Sequence, residues 1–541
     1  MIFKTKLGKY LGRKSIKNLT CCAMILATLQ APAFCEKHRA AIKSVHNELS
    51  IVNVNKSNWY PLYHLASPAY VMKQPTAFSA FGPNYHLFFQ QNYKNKDGEN
   101  LVWGHAISPD LVNWKHISTA IAPSEEYDNN GILGGSAIED DGLLYLVYTG
   151  KAITPNNEET EDNTKIYETQ NLAMSKDGIN FGKSANNSVI KAELNNTAHQ
   201  FSNTEFRNPY VWKLEDDYYA LVGTQYEKTK DGAVILFKSK DLRNWEYLNV
   251  TAIGNKGEMG TMWEAPALIK MGENDLLSIS AQGIKPHDKL FLNKYQSGAF
   301  LGKLDYKSGN FAQQGAFMLY DYGFDFYAPQ FVKTADGRTI FIAWLGMDGT
   351  PMYESNEHWA GMMTIPRELQ IVDGKIKTYP IKELENLRET PISINNQIVK
   401  EAKEFKNISG DAYEIELVAN LTNSNSFEIK LRASDEEETS VIYDKENKVL
   451  KLNRDKSGTT KSGGVKGERE AKLQLTNNIL NLRIFVDKSS IEVFSNDGEI
   501  AMSSRIYPSP NATAIKFVSN GETKIEKLNF YKFKTQENNK I

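Results

Sequence analysis

Among the carboxyls of this chain, Glu264 stands between apolar neighbours. In Trp263-Glu264-Ala265-Pro266 the side chain of Glu264 is flanked by an indole and two apolar residues, a water-poor setting for a general acid. The histidines offer less. Neither His64 nor His105 has a second His, Cys or Asp at ligand spacing, so both read as hydrogen-bonding framework and no metal is expected. The sequence has neither a glycine-rich phosphate loop nor a dinucleotide fingerprint, so no cofactor is implied. Lys73 carries a charge that would attract phosphate, but a solvated loop lysine reads the same way.

Repetition shows which elements must hold such a group. The mark Ser108-Pro109-Asp110-Leu111-Val112-Asn113-Trp114 returns as Ser175-Lys176-Asp177-Gly178-Ile179-Asn180-Phe181 and again as Ser239-Lys240-Asp241-Leu242-Arg243-Asn244-Trp245. A weaker copy runs from Asp305 to Phe311, and the four aspartates are 67, 64 and 64 residues apart. Between the marks lie short β-branched and aromatic runs, such as 143–148 and 233–237. Several short strands at a fixed period are the signature of propeller blades. At about 65 residues each, the span 50–378 accommodates five blades around a central channel that collects residues from all of them.

The remainder reads differently. All eight tryptophans fall between Trp59 and Trp359. A linker is expected over 379–394, with helical composition at 382–388, and a β-sandwich over 395–541. Its clearest hairpin is 482–494, where Phe485, Val486, Val493 and Phe494 offer apolar faces for packing, and 456–467 should be an exposed loop. The fold class is therefore all-β. Lys+Arg 63 against Asp+Glu 65 leaves a net charge of −2, which argues against nucleic acid or an anionic membrane as partner. With 41% hydrophobic and 24% charged residues, disordered and fibrous classes are excluded. No apolar run beyond residue 35 approaches the ~20 residues of a membrane span.

The first 33 residues have the form of a secretory signal peptide. Six basic residues and no acidic ones precede an apolar stretch from Leu19 to Leu29 and then Ala31-Pro32-Ala33. Cleavage after Ala33 would remove Cys21 and Cys22 and leave Cys35 alone, so no disulfide framework is expected in a secreted or periplasmic protein.

The motifs together resemble glycoside hydrolase family 32, the β-fructofuranosidases that include invertases, inulinases and levanases. Those that carry the likeness are Tyr85 to Gln90, Trp103-Gly104-His105, Phe324 to Gln330, Ile365 to Leu369, Phe485 to Phe494 and Ser503 to Tyr507. The resemblance spans nearly the whole chain after the leader and implies a five-bladed propeller followed by a β-sandwich. It also implies two carboxyl groups facing each other across a glycosidic bond, nucleophile and acid/base, with a third carboxylate steadying the transition state. Glu264 matches the acid/base. The nucleophile position is Gln74, and the stabiliser of the family's Arg-Asp-Pro motif is Asn208. Gly134-Gly135-Ser136 replaces the usual Ser-Gly-Ser, and Ala265 replaces cysteine. Substrate contacts implied by the likeness are Gln90, Trp103, Ser136, Arg207, Trp263 and Trp359, with Asp128 beside them as a stand-in carboxylate.

An amide accepts and donates hydrogen bonds but carries no charge and cannot supply the covalent intermediate. Three readings follow: a protein that binds a fructoside or related glycan without cleaving it, a glycosidase using another nucleophile or substrate, and a propeller that binds a protein partner.

Overall fold

The computed structural model describes residues 37–43, 57–95, 98–155, 164–192, 200–458 and 466–534. The expected signal peptide with its cleavage site, Cys35, and 459–465 of the expected 456–467 loop lie outside the described residues.

Five antiparallel sheets form the propeller, each numbered here as a blade in chain order. Their innermost strands are Tyr70–Phe81, Ile132–Asp140, Phe201–Leu214, Met262–Met271 and Tyr327–Lys333. The repeated mark is the turn between the third and fourth strands of blades I to III. In each copy the aspartate accepts the backbone N–H groups two and three residues on and the asparagine amide, as when Asp110 Oδ1 takes Val112 N at 3.1 Å and Asn113 N at 2.8 Å. Desolvation alone would raise the carboxyls of Asp110, Asp177 and Asp241, but these hydrogen bonds hold them below their ordinary range. The residue after each aspartate, Leu111, Gly178 or Leu242, is left-handed with φ 67°, 71° or 62°. Asp-centred turns thus set the blade length from purely local contacts.

The ring is closed by a strand out of sequence order. Trp359–Ala360, from the excursion between two strands of blade V, pairs in parallel with Tyr70 and Val71 of blade I. Met363 N–H donates to Leu65 O at 2.8 Å beside it.

After the last blade strand, Lys375–Pro380, a 3-10 helix at Lys382–Leu387 leads into the second all-β unit. There Tyr413–Ala433 and Ala514–Lys532, both bent by bulges, pair along most of their length. In the hairpin of Ile479–Asp487 with Ser490–Ser495, alternation sends Phe485 and Phe494 to the propeller side. There they join Leu65, Phe78 and Ile365, while Val486 and Val493 enter the sandwich core.

Buried ions lock the two units together. His64 Nδ1 lies 2.8 Å from Asp487 and Nε2 2.9 Å from Glu492, with all three side chains fully buried. Glu492 also pairs with Arg367, which reaches Asp321 at 2.9 Å. Asp325 receives Arg454 at 2.6 Å and Arg505 at 3.0 Å. Burial alone would discharge the imidazole, but hydrogen bonds to Asp487 and Glu492 outweigh it and raise His64 to about 9.

His64 therefore contributes its full stabilisation below the unfolded value of about 6.5 and loses it as pH rises through about 9. Asp487 and Glu492 are held below their ordinary range and stay ionised over this window. The melting-temperature gap between the native protein and His64→Gln should be widest near pH 6 and narrow steadily towards pH 9.5. A gap independent of pH would show that the imidazolium is not the stabilising species.

Candidate active site

An innermost propeller strand that kept its ladder would direct side chains only at its neighbouring blades. All five strands break register instead, between Met72 and Ala77, Ile132 and Gly135, Arg207 and Tyr210, Glu264 and Ala267, and Tyr327 and Gln330. A bulge adds a residue and re-aims its side chain. Four of the five carry a proline, Pro75, Pro209, Pro266 or Pro329, which has no N–H to lose from the ladder. Asn208, Ala265 and Ala328 take the left-handed conformation at φ 61°, 43° and 52°.

Hydroxyls of the preceding blade satisfy the freed amides. Asn208 N–H donates to Thr149 Oγ1 at 2.9 Å, Val211 N–H to Ser136 Oγ at 2.9 Å, and Ala328 N–H to Ser297 Oγ at 3.1 Å.

The residues so re-aimed line one cavity of about 410 Å³. Gln74, Gln90, Arg207, Asn208 and Glu264 share its wall with Glu168, Tyr295, Tyr327 and Trp344. Both oxygens of Glu264 are engaged: Arg207 Nε donates to Oε1 at 2.6 Å, and the Tyr327 hydroxyl donates to Oε2 at 2.5 Å. Burial first, and then the Glu264 charge, push the Tyr327 phenol well above its ordinary value, so it remains a donor.

Arg207 also reaches Glu168 at 3.0 Å and Glu205 at 2.5 Å, so one cation serves three carboxylates. Burial raises the Glu168 carboxyl despite Arg207 and the Phe206 N–H that donates to it at 2.9 Å. Lys73 lies 3.7 Å from Asp348 at the rim, where Lys294 pairs with the same carboxylate at 2.6 Å.

Several residues expected at the substrate do not line the cavity. Trp263 precedes Glu264, and strand alternation sends it the other way, into the space left by Gly232, with its indole N–H on Met259 O at 2.8 Å. Trp103 is buried among Phe88 and Tyr148, its N–H on Leu133 O at 2.5 Å. Trp359 is spent on ring closure and packs edge-on against Tyr60 at 4.9 Å. Ser136 Oγ is used by the Val211 N–H. Asp128 is fully buried behind the wall, paired with Lys183 and bound by Tyr148 OH at 3.1 Å and by two backbone N–H groups at 2.9 Å. It is not available as a nucleophile.

Sequence reading missed Glu168, Tyr295, Tyr327 and Trp344. Tyr327 stood inside a recognised motif, whereas Glu168 lies on the third strand of blade II with no local signal. Among the described residues no group of three or more His, Cys, Asp or Glu is arranged to hold a metal ion.

Asp128→Asn would leave the Lys183 ammonium, 2% exposed, without its counter-charge, at a cost of about 3–5 kcal/mol. The variant should melt at lower temperature, and Lys183→Met beside it should recover part of the loss by removing the unpaired charge. A melting temperature equal to that of the native protein would show that this pair is not what holds Asp128.

Comparison with known proteins agrees with this architecture. Residues 64–380 match the Glycosyl hydrolases family 32 N-terminal domain and residues 383–532 the Glycosyl hydrolases family 32 C terminal. The chain is 35% identical over 476 residues to a sucrose-6-phosphate hydrolase of Escherichia coli, covering 87% of this chain and 94% of that protein. It is 35% identical over 459 residues to a raffinose invertase of Escherichia coli, covering 84% and 90%. A solved GH32 β-fructofuranosidase of Bombyx mori superposes with a TM-score of 0.76 at 30% identity, covering 92% of this chain and 98% of that one. With both domains matched in order and a cavity built at the five strand breaks, the chain belongs to glycosyl hydrolase family 32.

Proposed function

We propose that the protein binds a fructoside in this cavity and that the standard retaining hydrolysis is impaired. The observation that carries the reading is that Gln74 and Asn208 stand on the same cavity wall as Glu264, at the two positions where the family pattern calls for carboxylates. Glu264 is retained, and Tyr327 and Arg207 hold it. A proton donor without a nucleophile cannot form a glycosyl-enzyme intermediate, and an uncharged Asn208 does not offset an oxocarbenium-like transition state. Each lost decade of rate corresponds to about 1.36 kcal/mol of barrier, and loss of a catalytic nucleophile commonly removes several decades.

No other carboxylate takes the role readily. Glu168, Glu205 and Glu264 all share Arg207, Asp348 is paired with lysines, and Asp128 is buried behind the wall. The Gln74 and Gln90 amides supply hydrogen bonds to sugar hydroxyls, and the rings of Tyr295, Tyr327 and Trp344 supply apolar surface. Sucrose and raffinose are the first ligands to try, because the similar proteins include a sucrose-6-phosphate hydrolase and a raffinose invertase.

Titration calorimetry with sucrose and raffinose, with a parallel assay of released fructose, tests the reading. The native protein should bind with little or no release, and Gln74→Asp combined with Asn208→Asp should release fructose measurably. Rapid native release abolished by Glu264→Gln would instead establish an active hydrolase with another nucleophile.

We also propose that the chain is exported, because its first 33 residues combine a basic segment, an apolar stretch and Ala31-Pro32-Ala33. Protein recovered outside the cytoplasm should begin near Phe34 by N-terminal sequencing, and material beginning at Met1 there would refute cleavage.

A further inference from the structure

Gly134 faces Asn208 across the boundary between blades II and III, and nothing in its backbone requires glycine, since its φ lies outside the left-handed region. Space requires it. A Cβ at this position would stand 2.7 Å from Asn208 Oδ1 and 2.9 Å from Cγ, well inside contact distance, and its three nearest neighbours would all be side-chain atoms of Asn208.

Asn208 cannot yield by moving its backbone. Its N–H is held by Thr149 Oγ1 at 2.9 Å, and Thr149 in turn donates to Gln170 at 2.7 Å. Gln170 Nε2 donates to Phe206 O at 2.7 Å, Phe206 N–H donates to Glu168, and Pro209 follows. With φ at 61° and both flanks tied, only the side-chain torsions are free. Asn208 Oδ1 is buried and accepts no hydrogen bond.

We propose that Gly134 is a positioning residue matched to Asn208: its bare Cα forms the seat that keeps the amide back in the cavity wall and out of the sugar-binding space. Where the family pattern has serine, this chain lacks both a methylene and a hydroxyl. The same change that seats the amide therefore removes the donor that a carboxylate at position 208 would use. The site is matched to an amide at 208 as a pair of positions rather than at one alone. This inference rests on the fructoside-binding reading for its consequence, but the pairing itself is a property of the apo protein.

The test is a double-mutant cycle read two ways. Gly134→Ala adds only the Cβ, and it should weaken sucrose binding about tenfold or more in the native protein, by turning the amide into the cavity. In an Asn208→Ala background the same change should cost less than about twofold, because the seat is empty. Melting temperature should show the same non-additivity without any ligand, Gly134→Ala lowering it in the native chain and leaving it nearly unchanged beside Asn208→Ala. Equal effects of Gly134→Ala in both backgrounds, or none in either, would overturn the pairing.

A third readout separates positioning from simple packing. In the Gln74→Asp, Asn208→Asp protein, Gly134→Ser should raise fructose release several-fold by donating its hydroxyl to the new carboxylate, whereas Gly134→Ala should not. Equal effects of serine and alanine would remove the hydroxyl argument. A blank sucrose titration with an intact melting cycle would count against the fructoside reading and leave the pairing standing.

Discussion

This propeller brings Gln74, Arg207, Asn208, Glu264 and Tyr327 to its axis by interrupting the hydrogen-bonded strands that carry them. An unbroken innermost strand alternates its side chains between neighbouring blades, and the cavity would be lined by backbone. Each of the five strands breaks register, and those breaks bring Gln74, Arg207, Asn208, Glu264 and Tyr327 to one wall. A broken ladder leaves amides to satisfy, and an unsatisfied buried N–H costs about 1–3 kcal/mol. Prolines remove some of that demand, and hydroxyls of the preceding blade meet much of the rest, through Thr149, Ser136 and Ser297. The site therefore depends on contacts between blades, and any shift of one blade is felt at the next one's bulge.

Electrostatics follows the same economy. Within the cavity Arg207 is the counter-ion of Glu168, Glu205 and Glu264, three carboxylates from three strands of blades II, III and IV. Between the units His64 joins Asp487 to Glu492, and Arg367 joins Glu492 to Asp321. Buried ion pairs return little net stability after desolvation, but breaking one partner is costly, so such networks enforce a single arrangement. In the cavity they fix the orientation of Glu264. At the junction they fix how the sandwich sits on the propeller, with Phe485 and Phe494 supplying the apolar contact.

That rigid background extends to the cavity wall. Asn208 has a left-handed backbone and a bond from its N–H to Thr149, and its side chain lies against the bare Cα of Gly134. Glu264 keeps two donors.

Local chemistry is what the sequence by itself determined. The blade period was legible because each Asp-centred turn is closed by hydrogen bonds within three residues, as at Asp177 and Asn180. Gln74, Asn208 and Glu264 were legible because each stands beside a proline-bearing bulge with a fixed motif. What only the tertiary structure decided is direction and partnership. Trp263 and Glu264 are adjacent in sequence yet face opposite ways, since strand register sends one between blades and the other to the axis. Asp128 is taken out of play by Lys183, 55 residues along the chain, and Glu168 is brought to the cavity by Arg207, 39 residues along. Such pairings depend on how blades stack, a long-range property that no window of neighbouring residues contains.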